Sequence, residues 1–335
     1  MKILLTGGAG YIGSHVALSL LRAGHTPIIF DNFCNSSPEV SERLNEAAGQ
    51  PIRIVRGDVR DSELLRSVLG SERIEAVVHL AGLKAVAESV ADPLAYYDNN
   101  VGGMIALLDA MDSTGARRIV FSSSATVYGL PRDLPITEDH STAPINPYGE
   151  TKLACEKILS DLARTDRGWQ VSLLRYFNPV GADPSGLIGE EPRGIPNNLM
   201  PMVVLVALGQ RAQLEVFGND YPTPDGTAVR DYIHVVDLAE GHVAALAAMN
   251  EAEPCQIFNL GTGRGTSVLE LLAAFARATG VEVPCSIKPR RPGDVAILYA
   301  ASGKAEQQLG WKAKRSLEEM CADSWRFASR PKPPA

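Results

Sequence analysis

The chain of 335 residues is long for one hydrophobic core, so we expect two lobes. Its hydrophobic content of 45% and charged content of 21% are typical of a globular protein and exclude a disordered or fibrous chain. The formal net charge of −7 argues against binding to a nucleic-acid backbone, and no apolar run approaches the roughly 18 residues of a membrane span.

Short apolar runs alternate with helical patterns through the first half of the chain. The predicted strands are residues 3–6, 27–30, 52–55, 76–81, 118–122 and 171–176. The predicted helices between them are residues 11–23, 61–69, 93–114 and 147–164. Continuous apolar strands joined by helices indicate right-handed crossovers. The predicted fold class is therefore α/β, with a Rossmann-type, doubly wound parallel sheet.

The pattern changes after residue 177. Residues 178–198 are dense in glycine and proline, which excludes a helix or an interior strand there. Later segments are a helix over 199–208, a loop over 218–227, a helix over 235–249 and a strand over 256–260. We expect the chain to leave the sheet near 178, to return near 229–260 and to complete a smaller C-terminal lobe, with a frayed tail over 330–335.

Cysteine and histidine usage points to a reduced protein without a metal. The five cysteines are odd in number and include no C-x-x-C pair. The apolar segment that opens the sequence is shorter than the apolar region of a signal peptide. We therefore expect reduced thiols in a cytoplasmic protein, with Cys155 packed rather than redox-active. The six histidines have no metal-ligand spacing, so no metal is predicted.

A glycine cluster follows the first predicted strand. Residues 7–13 have the sequence GGAGYIG, in which Gly8, Gly10 and Gly13 satisfy G-x-G-x-x-G. Such a turn presents a helix N-terminus to a diphosphate. Asp31 ends the second strand 18 residues after Gly13, where a carboxylate binds a ribose diol and repels a 2′-phosphate. The pattern predicts a dinucleotide site that prefers NAD to NADP.

Asp58 follows the third predicted strand. Its position allows two interpretations: it accepts a hydrogen bond from the adenine amino group, or it is an ordinary turn aspartate. Spacing alone does not separate them.

A second set of residues has the spacing of acid–base chemistry. Tyr148 and Lys152 are four residues apart in a predicted helix and therefore share one face. A neighbouring ammonium favours the phenolate of a tyrosine. Ser124 follows the fifth strand, at the edge of the sheet where ligands bind. It is predicted to hydrogen-bond to the same substrate hydroxyl as Tyr148. These three residues are the predicted catalytic set.

Motifs along the whole chain resemble the UDP-glucose 4-epimerase family of extended short-chain dehydrogenase/reductases. They are TGGAGYIG at 6–13, AGLKAV at 81–86, YYDNN at 96–100, FSSSATVYG at 121–129, LRYFNP at 174–179, GIPNNLMP at 194–201 and VRDYIHV at 229–235. The resemblance extends from residue 1 to about residue 330.

The resemblance implies a reaction on UDP-glucose and UDP-galactose. Tyr148 would remove the proton of the sugar 4-hydroxyl while C4 passes hydride to NAD. The 4-keto sugar would turn over and take the hydride back on its other face. Because net redox is zero, NAD would remain tightly bound.

The resemblance also implies a set of binding residues. The cofactor set is Gly7, Gly10, Tyr11, Ile12, Gly13, Asp31, Asn32, Asp58, Val59, Lys84, Asn99, Tyr148, Lys152 and Phe177. The substrate set is Ser124, Tyr148, Tyr176, Asn178, Asn198, Leu199, Phe217, Arg230, Arg291, Asp294 and Leu298. Residues 1–177, with the return near 229–260, would form the NAD-binding Rossmann domain; residues 178–228 and 261–330 would bind the UDP-sugar. A homodimer through the helices over 93–114 and 147–164 is expected by analogy.

Three alternatives have distinct signatures. A nucleotide-sugar 4,6-dehydratase requires an Asp-Glu pair where this chain has Ala125 and Thr126. A non-catalytic NAD-binding protein would not need Tyr148 and Lys152, and a net dehydrogenase would consume NAD in step with substrate. For the sugar 2-substituent, Leu298 is the predicted gate, with Tyr299 as the alternative if the register slips by one residue. We expect weaker activity on UDP-N-acetyl sugars.

Overall fold

A seven-stranded sheet forms the centre of the molecule. The structure is a computed structural model that describes residues 1–191, 194, 196, 198–291 and 293–330. The sheet order is β11-β6-β5-β4-β1-β2-β3, and every neighbouring pair is parallel. Its strands are β1 (Lys2–Thr6), β2 (Thr26–Asp31), β3 (Arg53–Arg56), β4 (Ala76–His79), β5 (Arg118–Ser124), β6 (Gln170–Tyr176) and β11 (Cys255–Leu260). The predicted doubly wound sheet is confirmed.

Helices cover both faces of this sheet. One face carries α1 (Tyr11–Arg22), α2 (Val40–Ala48), α9 (Val235–Ala248) and α11 (Gly303–Leu309). The other carries α3 (Ser62–Glu72), α6 (Gly103–Thr114) and α7 (Pro147–Ala163). Central strand residues such as Leu4 and Leu5 are fully buried on opposite faces. Burial on both faces explains why the strands are continuous apolar runs rather than alternating ones.

The predicted helix over 93–114 is divided. Its parts are α5 (Pro93–Tyr96), a π-helical turn (Tyr97–Gly102) and α6. A π-turn inserts one extra residue per turn and changes which side chains face the sheet. The helices α2 and α4 (Val86–Ala91), and a 3₁₀ turn (Ala125–Tyr128), were not predicted.

Smaller sheets and helices lie beyond the main sheet. Their strands are β7 (Asn178–Val180) with β10 (Tyr232–His234), β8 (Leu214–Phe217) with β13 (Cys285–Lys288), and β9 (Val229–Arg230) between β12 (Thr266–Ser267) and β14 (Ile297–Leu298). Helices α8 (Leu199–Ala207), α10 (Val268–Thr279) and α12 (Leu317–Ala328) share a separate core with β8.

The return to the large sheet differs in detail from the expected one. Residues 229–234 pair with strands outside the large sheet, so the return consists of α9 and β11. Ala305 and Trp311, in the segment assigned to the smaller lobe, pack in the core of the large sheet. The expected frayed tail falls outside the described residues except for Arg330.

Within the described residues, we find no helix that combines the length and the apolar character needed to cross a membrane.

The topology defines the position of the site. The chain runs from β1 outward to β2 and β3, then crosses to β4 on the other side of β1. Ligands of doubly wound sheets bind where the strand order reverses, outside the carboxyl ends of the strands. That edge carries the turn after Thr6, Asp31 at the end of β2 and Ser124 at the end of β5.

Candidate active site

An elongated cavity of about 430 Å³ lies along this edge of the sheet. It extends from the end of β2 across the glycine turn to the end of β5. Most of the predicted site residues line it: Gly7, Gly10, Tyr11, Ile12, Gly13, Asp31, Asn32, Val59, Lys84, Asn99, Ser124, Tyr148, Lys152, Tyr176, Phe177, Asn178 and Asn198. One cavity therefore joins the predicted cofactor residues to the predicted catalytic set.

The glycine turn brings α1 close to the cavity. Gly7 has φ +70°, and a Cβ on it would lie 2.7 Å from the main-chain nitrogen of Ala81. A Cβ on Gly13 would lie 2.3 Å from the carbonyl oxygen of Gly7, so only glycine allows this helix packing. No side chain caps the first turn of α1. Its free amide groups make the turn suitable for a diphosphate.

Asp31 is held in place at one end of the cavity. Its Oδ2 accepts a 3.0 Å hydrogen bond from the amide of Ala9, and its Oδ1 accepts from the amide of Phe33 at 2.8 Å and from Ser36 Oγ at 3.1 Å. Each carboxylate oxygen accepts about two hydrogen bonds, so Oδ2 has capacity for a ligand hydroxyl. Arg43, on the unpredicted helix α2, lines the same end and is paired with Glu191 at 2.8 Å.

The predicted catalytic residues meet at the other end. Pro147 at the first helical position and the Asn146 side chain, which accepts from the amide of Gly149 at 2.9 Å, fix the start of α7. Tyr148 is therefore in the first turn, and it lies near the Ser124 side chain. Lys152, one turn later, lies with Nζ 6.0 Å from the centre of the Tyr148 ring. The structure thus brings the predicted Ser-Tyr-Lys set together.

Burial controls the protonation of this set. It raises the pKa of Tyr148, and the nearby Ser124 hydroxyl opposes that effect. Burial also lowers the pKa of Lys152 to about 8, although the neighbouring Cys155 and Glu156 raise it. The Nζ of Lys152 donates a 2.7 Å hydrogen bond to the carbonyl oxygen of Ser122, which fixes the ammonium below the tyrosine.

Glu190 is a site residue that sequence analysis missed. Its Oε1 accepts a 2.9 Å hydrogen bond from Asn198 and lies 3.5 Å from the ammonium of Lys84. Glu190 lies in the glycine- and proline-rich segment, where neither periodicity nor a motif singles it out. Arg43 has only an indirect signal: Val40 and Leu44, spaced as one face of a helix, flank it.

Tyr176 and Asp58 have other partners than those predicted. The Tyr176 hydroxyl hydrogen-bonds to Nε2 of His242, whose Nδ1 donates to the carbonyl of Leu238. Burial lowers the pKa of His242 to about 4, so the imidazole is neutral and accepts from Tyr176. Asp58 does not line the cavity. Arg60 and Asn32 donate hydrogen bonds to its carboxylate, and the bonds from Arg60 hold the pKa of Asp58 well below its usual range.

The remaining predicted substrate residues form a separate cluster. The guanidinium carbon of Arg291 lies 3.7 Å from the centre of the Phe217 ring, and the amide of Asp294 donates to the carbonyl of Arg291 at 3.2 Å. Leu298 pairs with Arg230 between β14 and β9. Leu199, the first residue of α8, packs in the core of the smaller lobe.

Leu298 connects this cluster to the main cavity. Its side chain packs against the hydrophobic group that contains Ala125 and Phe177. Tyr299, the next residue, lies beside Gly265, where a Cβ would be 3.4 Å from the tyrosine ring. The two side chains therefore have different surroundings, and Leu298 is the one that packs against the group that contains Phe177.

The fold and the Ser-Tyr-Lys set define an extended short-chain dehydrogenase/reductase. A family model described as GDP-mannose 4,6 dehydratase matches residues 4–324. The chain is 57% identical over 329 residues to UDP-glucose 4-epimerase of Bacillus subtilis, a match that covers 98% of this chain and 97% of that protein. The chain belongs to the UDP-glucose 4-epimerase family.

Solved structures agree with this assignment. The UDP-glucose 4-epimerase of Stenotrophomonas maltophila, with bound NAD and formylated UDP-arabinopyranose, superposes with a TM-score of 0.96 at 49% identity and 98% coverage of both chains. The enzyme of Bifidobacterium longum, in complex with NAD⁺ and UDP, gives a TM-score of 0.93 at 50% identity, again with 98% coverage of both chains.

Proposed function

We propose that the protein interconverts UDP-glucose and UDP-galactose with a tightly bound NAD. The observation that carries this proposal is the single cavity in which Tyr148, Lys152 and Ser124 lie at one end and Asp31 at the other. A dinucleotide bound along this cavity would place its adenosine ribose near Asp31 and its reactive ring near Tyr148, where it would meet a sugar.

The residues of the cavity fit NAD. The uncapped N-terminus of α1 suits the diphosphate, and a Cβ on Gly10 would touch only the Gly7 carbonyl oxygen, at 3.3 Å, so the turn leaves room for the ligand. Asp31 suits the adenosine ribose diol and disfavours NADP. Further cofactor roles are proposed for residues that line the cavity: Tyr11, Ile12, Gly13, Asn32, Val59, Lys84, Asn99 and Phe177. The predicted contact of Asp58 with adenine is not retained, because Asp58 lies outside the cavity and is hydrogen-bonded to Arg60 and Asn32. Bound NAD supplies a hydride acceptor and donor for sugar C4.

Tyr148 is the proposed acid–base residue. Its phenolate takes the proton of the 4-hydroxyl and later returns it. The Lys152 ammonium stabilises the phenolate by charge, and the hydroxyl of nearby Ser124 is proposed to orient the same tyrosine. Burial keeps bulk water away from these groups and so limits loss of the 4-keto sugar.

The second cluster is the proposed UDP site. Arg230 and Arg291 suit the diphosphate and Phe217 suits the uracil ring, while Asp294 accepts from the ribose. Asn178, Asn198, Leu199 and Tyr176 complete the proposed contacts, with the Tyr176 hydroxyl kept by His242. Residues 178–228 and 261–330, apart from α11 and Trp311, which pack on the large sheet, are then the proposed UDP-sugar lobe. Residues 1–177 with α9 and β11 are the proposed NAD domain.

Sugar specificity is proposed to depend on Leu298. This side chain faces the group around Phe177, whereas Tyr299 lies beside Gly265. Leucine fills less of the space than a tyrosine would. We infer main activity on UDP-glucose and UDP-galactose, with weaker activity on UDP-N-acetyl sugars.

A homodimer in the cytoplasm completes the proposal. Exposed apolar side chains on α4, α5, the π-turn and α6 support the dimer: Val86, Val90, Leu94, Tyr97 and Ile105. The five cysteines are all free, which agrees with a reducing compartment.

The test is to incubate the purified protein with UDP-galactose without added NAD. The expected result is UDP-glucose, with no stoichiometric change in NADH absorbance. Stoichiometric NADH would indicate a net dehydrogenase, and a 4-keto-6-deoxy product a dehydratase; Ala125 and Thr126 occupy the positions where a dehydratase has Asp and Glu. No conversion at all would leave a binding protein.

A further inference from the structure

A buried ion pair lies one helical turn beyond Lys152. Tyr148, Lys152 and Glu156 are four residues apart on α7 and share one face. Glu156 is 3% exposed and Arg175 4% exposed. The guanidinium binds the carboxylate at two points: Nε donates to Oε1 at 3.0 Å and Nη2 to Oε2 at 2.7 Å. The proposed chemistry uses neither residue.

The pair ties α7 to Ser123, the middle one of three consecutive serines of β5. Ser123 pairs with Arg175 across the sheet, and its Oγ donates to Oε1 of Glu156 at 2.5 Å. On either side of Ser123, the carbonyl of Ser122 accepts from Lys152, and the side chain of Ser124 lies near Tyr148. A shift of the carboxylate therefore moves the serine that lies between the two catalytic contacts.

Arg175 also fixes the segment that follows Ser124. Its Nη1 donates to Oη of Tyr128 and to the carbonyl of Glu138, each at 3.0 Å. Tyr128 ends the 3₁₀ turn that begins directly after Ser124 and donates in turn to Oδ1 of Asn259 on β11, at 2.6 Å. The same guanidinium thus connects the helix, the sheet and the serine turn.

We propose that Glu156 and Arg175 are positioning residues that hold Tyr148 against Ser124 and keep Lys152 charged. The proposal rests on the proposed acid–base role of Tyr148. A buried ion pair is a weak source of stability compared with apolar residues of similar volume, so stability alone does not account for this one. Its contacts to Ser123, directly before Ser124, and to Tyr128, at the end of the turn directly after Ser124, do.

The pair also defines the charge around Lys152. The groups that face this ammonium are Tyr148, Cys155 and Glu156 from α7 and His79 from β4, with Arg175 behind Glu156. Burial lowers the pKa of His79 to about 3, so His79 stays neutral. Loss of the Glu156 charge then lowers the pKa of Lys152 further, and activity is lost at a lower pH on the alkaline side.

The experiment compares Glu156→Gln with Glu150→Gln, the same change at an exposed position of the same helix. Both are assayed as purified holoenzymes with UDP-galactose from pH 6 to pH 10. For Glu156→Gln we expect kcat to fall about 10-fold or more. The KM should change less than about twofold, because the proposed UDP contacts lie on other elements, and the alkaline limb should move down by about half a pH unit or more.

Two outcomes overturn the proposal. One is a Glu156→Gln enzyme that differs from Glu150→Gln only in melting temperature. If Glu156→Gln does not fold, Ser123→Ala removes one hydrogen bond and no charge, and an unchanged kcat for that variant overturns the proposal. An inactive wild-type protein would instead contradict the proposed function itself.

Discussion

The ammonium of Lys152 donates a 2.7 Å hydrogen bond to the main-chain carbonyl of Ser122, two residues before Ser124, the proposed catalytic serine. This contact fixes a buried ammonium near Tyr148, and the burial of that charge lowers the free energy of unfolding of the protein. The fall in the pKa of Lys152 from 10.5 to about 8 corresponds to ~3 kcal/mol.

Lys152→Met should abolish epimerisation. It should also raise the free energy of unfolding of the cofactor-free protein by ~1–3 kcal/mol, because the gain from removing a buried charge exceeds the loss of the hydrogen bond to Ser122. Between pH 8 and 10.5 the unfolded wild-type chain binds the lysine proton more tightly than the folded chain, so wild-type stability rises with pH. The variant lacks this rise, so its free energy of unfolding should exceed that of the wild type by less and less between pH 8 and 10.5. Denaturant unfolding of both proteins at several pH values measures this difference. Lys157→Met, exposed on the same helix, is the control and should show no such trend.

Tyr148→Phe should retain the fold and the bound NAD, because it removes only one hydroxyl. Epimerisation should slow by about 10²-fold or more, the usual size of general acid–base help. Initial rates on UDP-galactose measure this, with the exposed Tyr97→Phe as the matched control. Near-wild-type turnover would assign the proton transfer to another group.

Asp31→Ala should weaken NAD retention and relax discrimination against NADP. The change removes a carboxylate and leaves Ser36 and Arg43 beside the same end of the cavity, where a guanidinium suits a 2′-phosphate. Cofactor content after purification and titration with NADP measure both effects. The double variant Asp31→Ala/Arg43→Ala should lose the gain in NADP binding. Full NAD content with NADP still excluded would contradict the role of Asp31.

Leu298→Tyr should suppress activity on UDP-N-acetylglucosamine and spare activity on UDP-galactose. Steric exclusion of this kind is worth about 1–3 kcal/mol, which gives a preference of tens to hundreds of fold. Parallel kcat/KM measurements on the two sugars test it. If the wild type lacks N-acetyl activity and Tyr299→Ala gains it, then Tyr299 is the gate.

Leu94→Glu should convert the proposed dimer into a monomer. Leu94 is 80% exposed in the chain and lies among other exposed apolar side chains. A charge buried without a partner opposes association. Light scattering at several concentrations measures the mass. Leu130→Glu, at a position 62% exposed outside this patch, is the control. A mass unchanged by Leu94→Glu would place any interface elsewhere.

Local sequence patterns predicted the sheet and the placement of Tyr148 and Lys152 because both depend on neighbours in the chain. The apolar runs defined the strands, and the four-residue spacing placed Tyr148 and Lys152 on one helix face. The partners of Tyr176 and Glu190 were not predictable in this way. His242 is 66 residues from Tyr176, and Lys84 is more than 100 residues from Glu190, so only the folded chain brings them together. The π-turn depends on packing and has no sequence signature.

One carboxylate oxygen of Glu190, Oε1, contacts two side chains that have different proposed ligands. It accepts a hydrogen bond from Asn198, proposed to bind the UDP-sugar, and lies 3.5 Å from the ammonium of Lys84, proposed to bind NAD. This sharing has a thermodynamic consequence. A ligand that draws either side chain away changes the electrostatic environment of the other. The binding free energies of the two ligands are therefore linked, and such linkage is reciprocal. If bound cofactor changes the affinity for the nucleotide sugar by some factor, bound nucleotide sugar changes the affinity for the cofactor by the same factor.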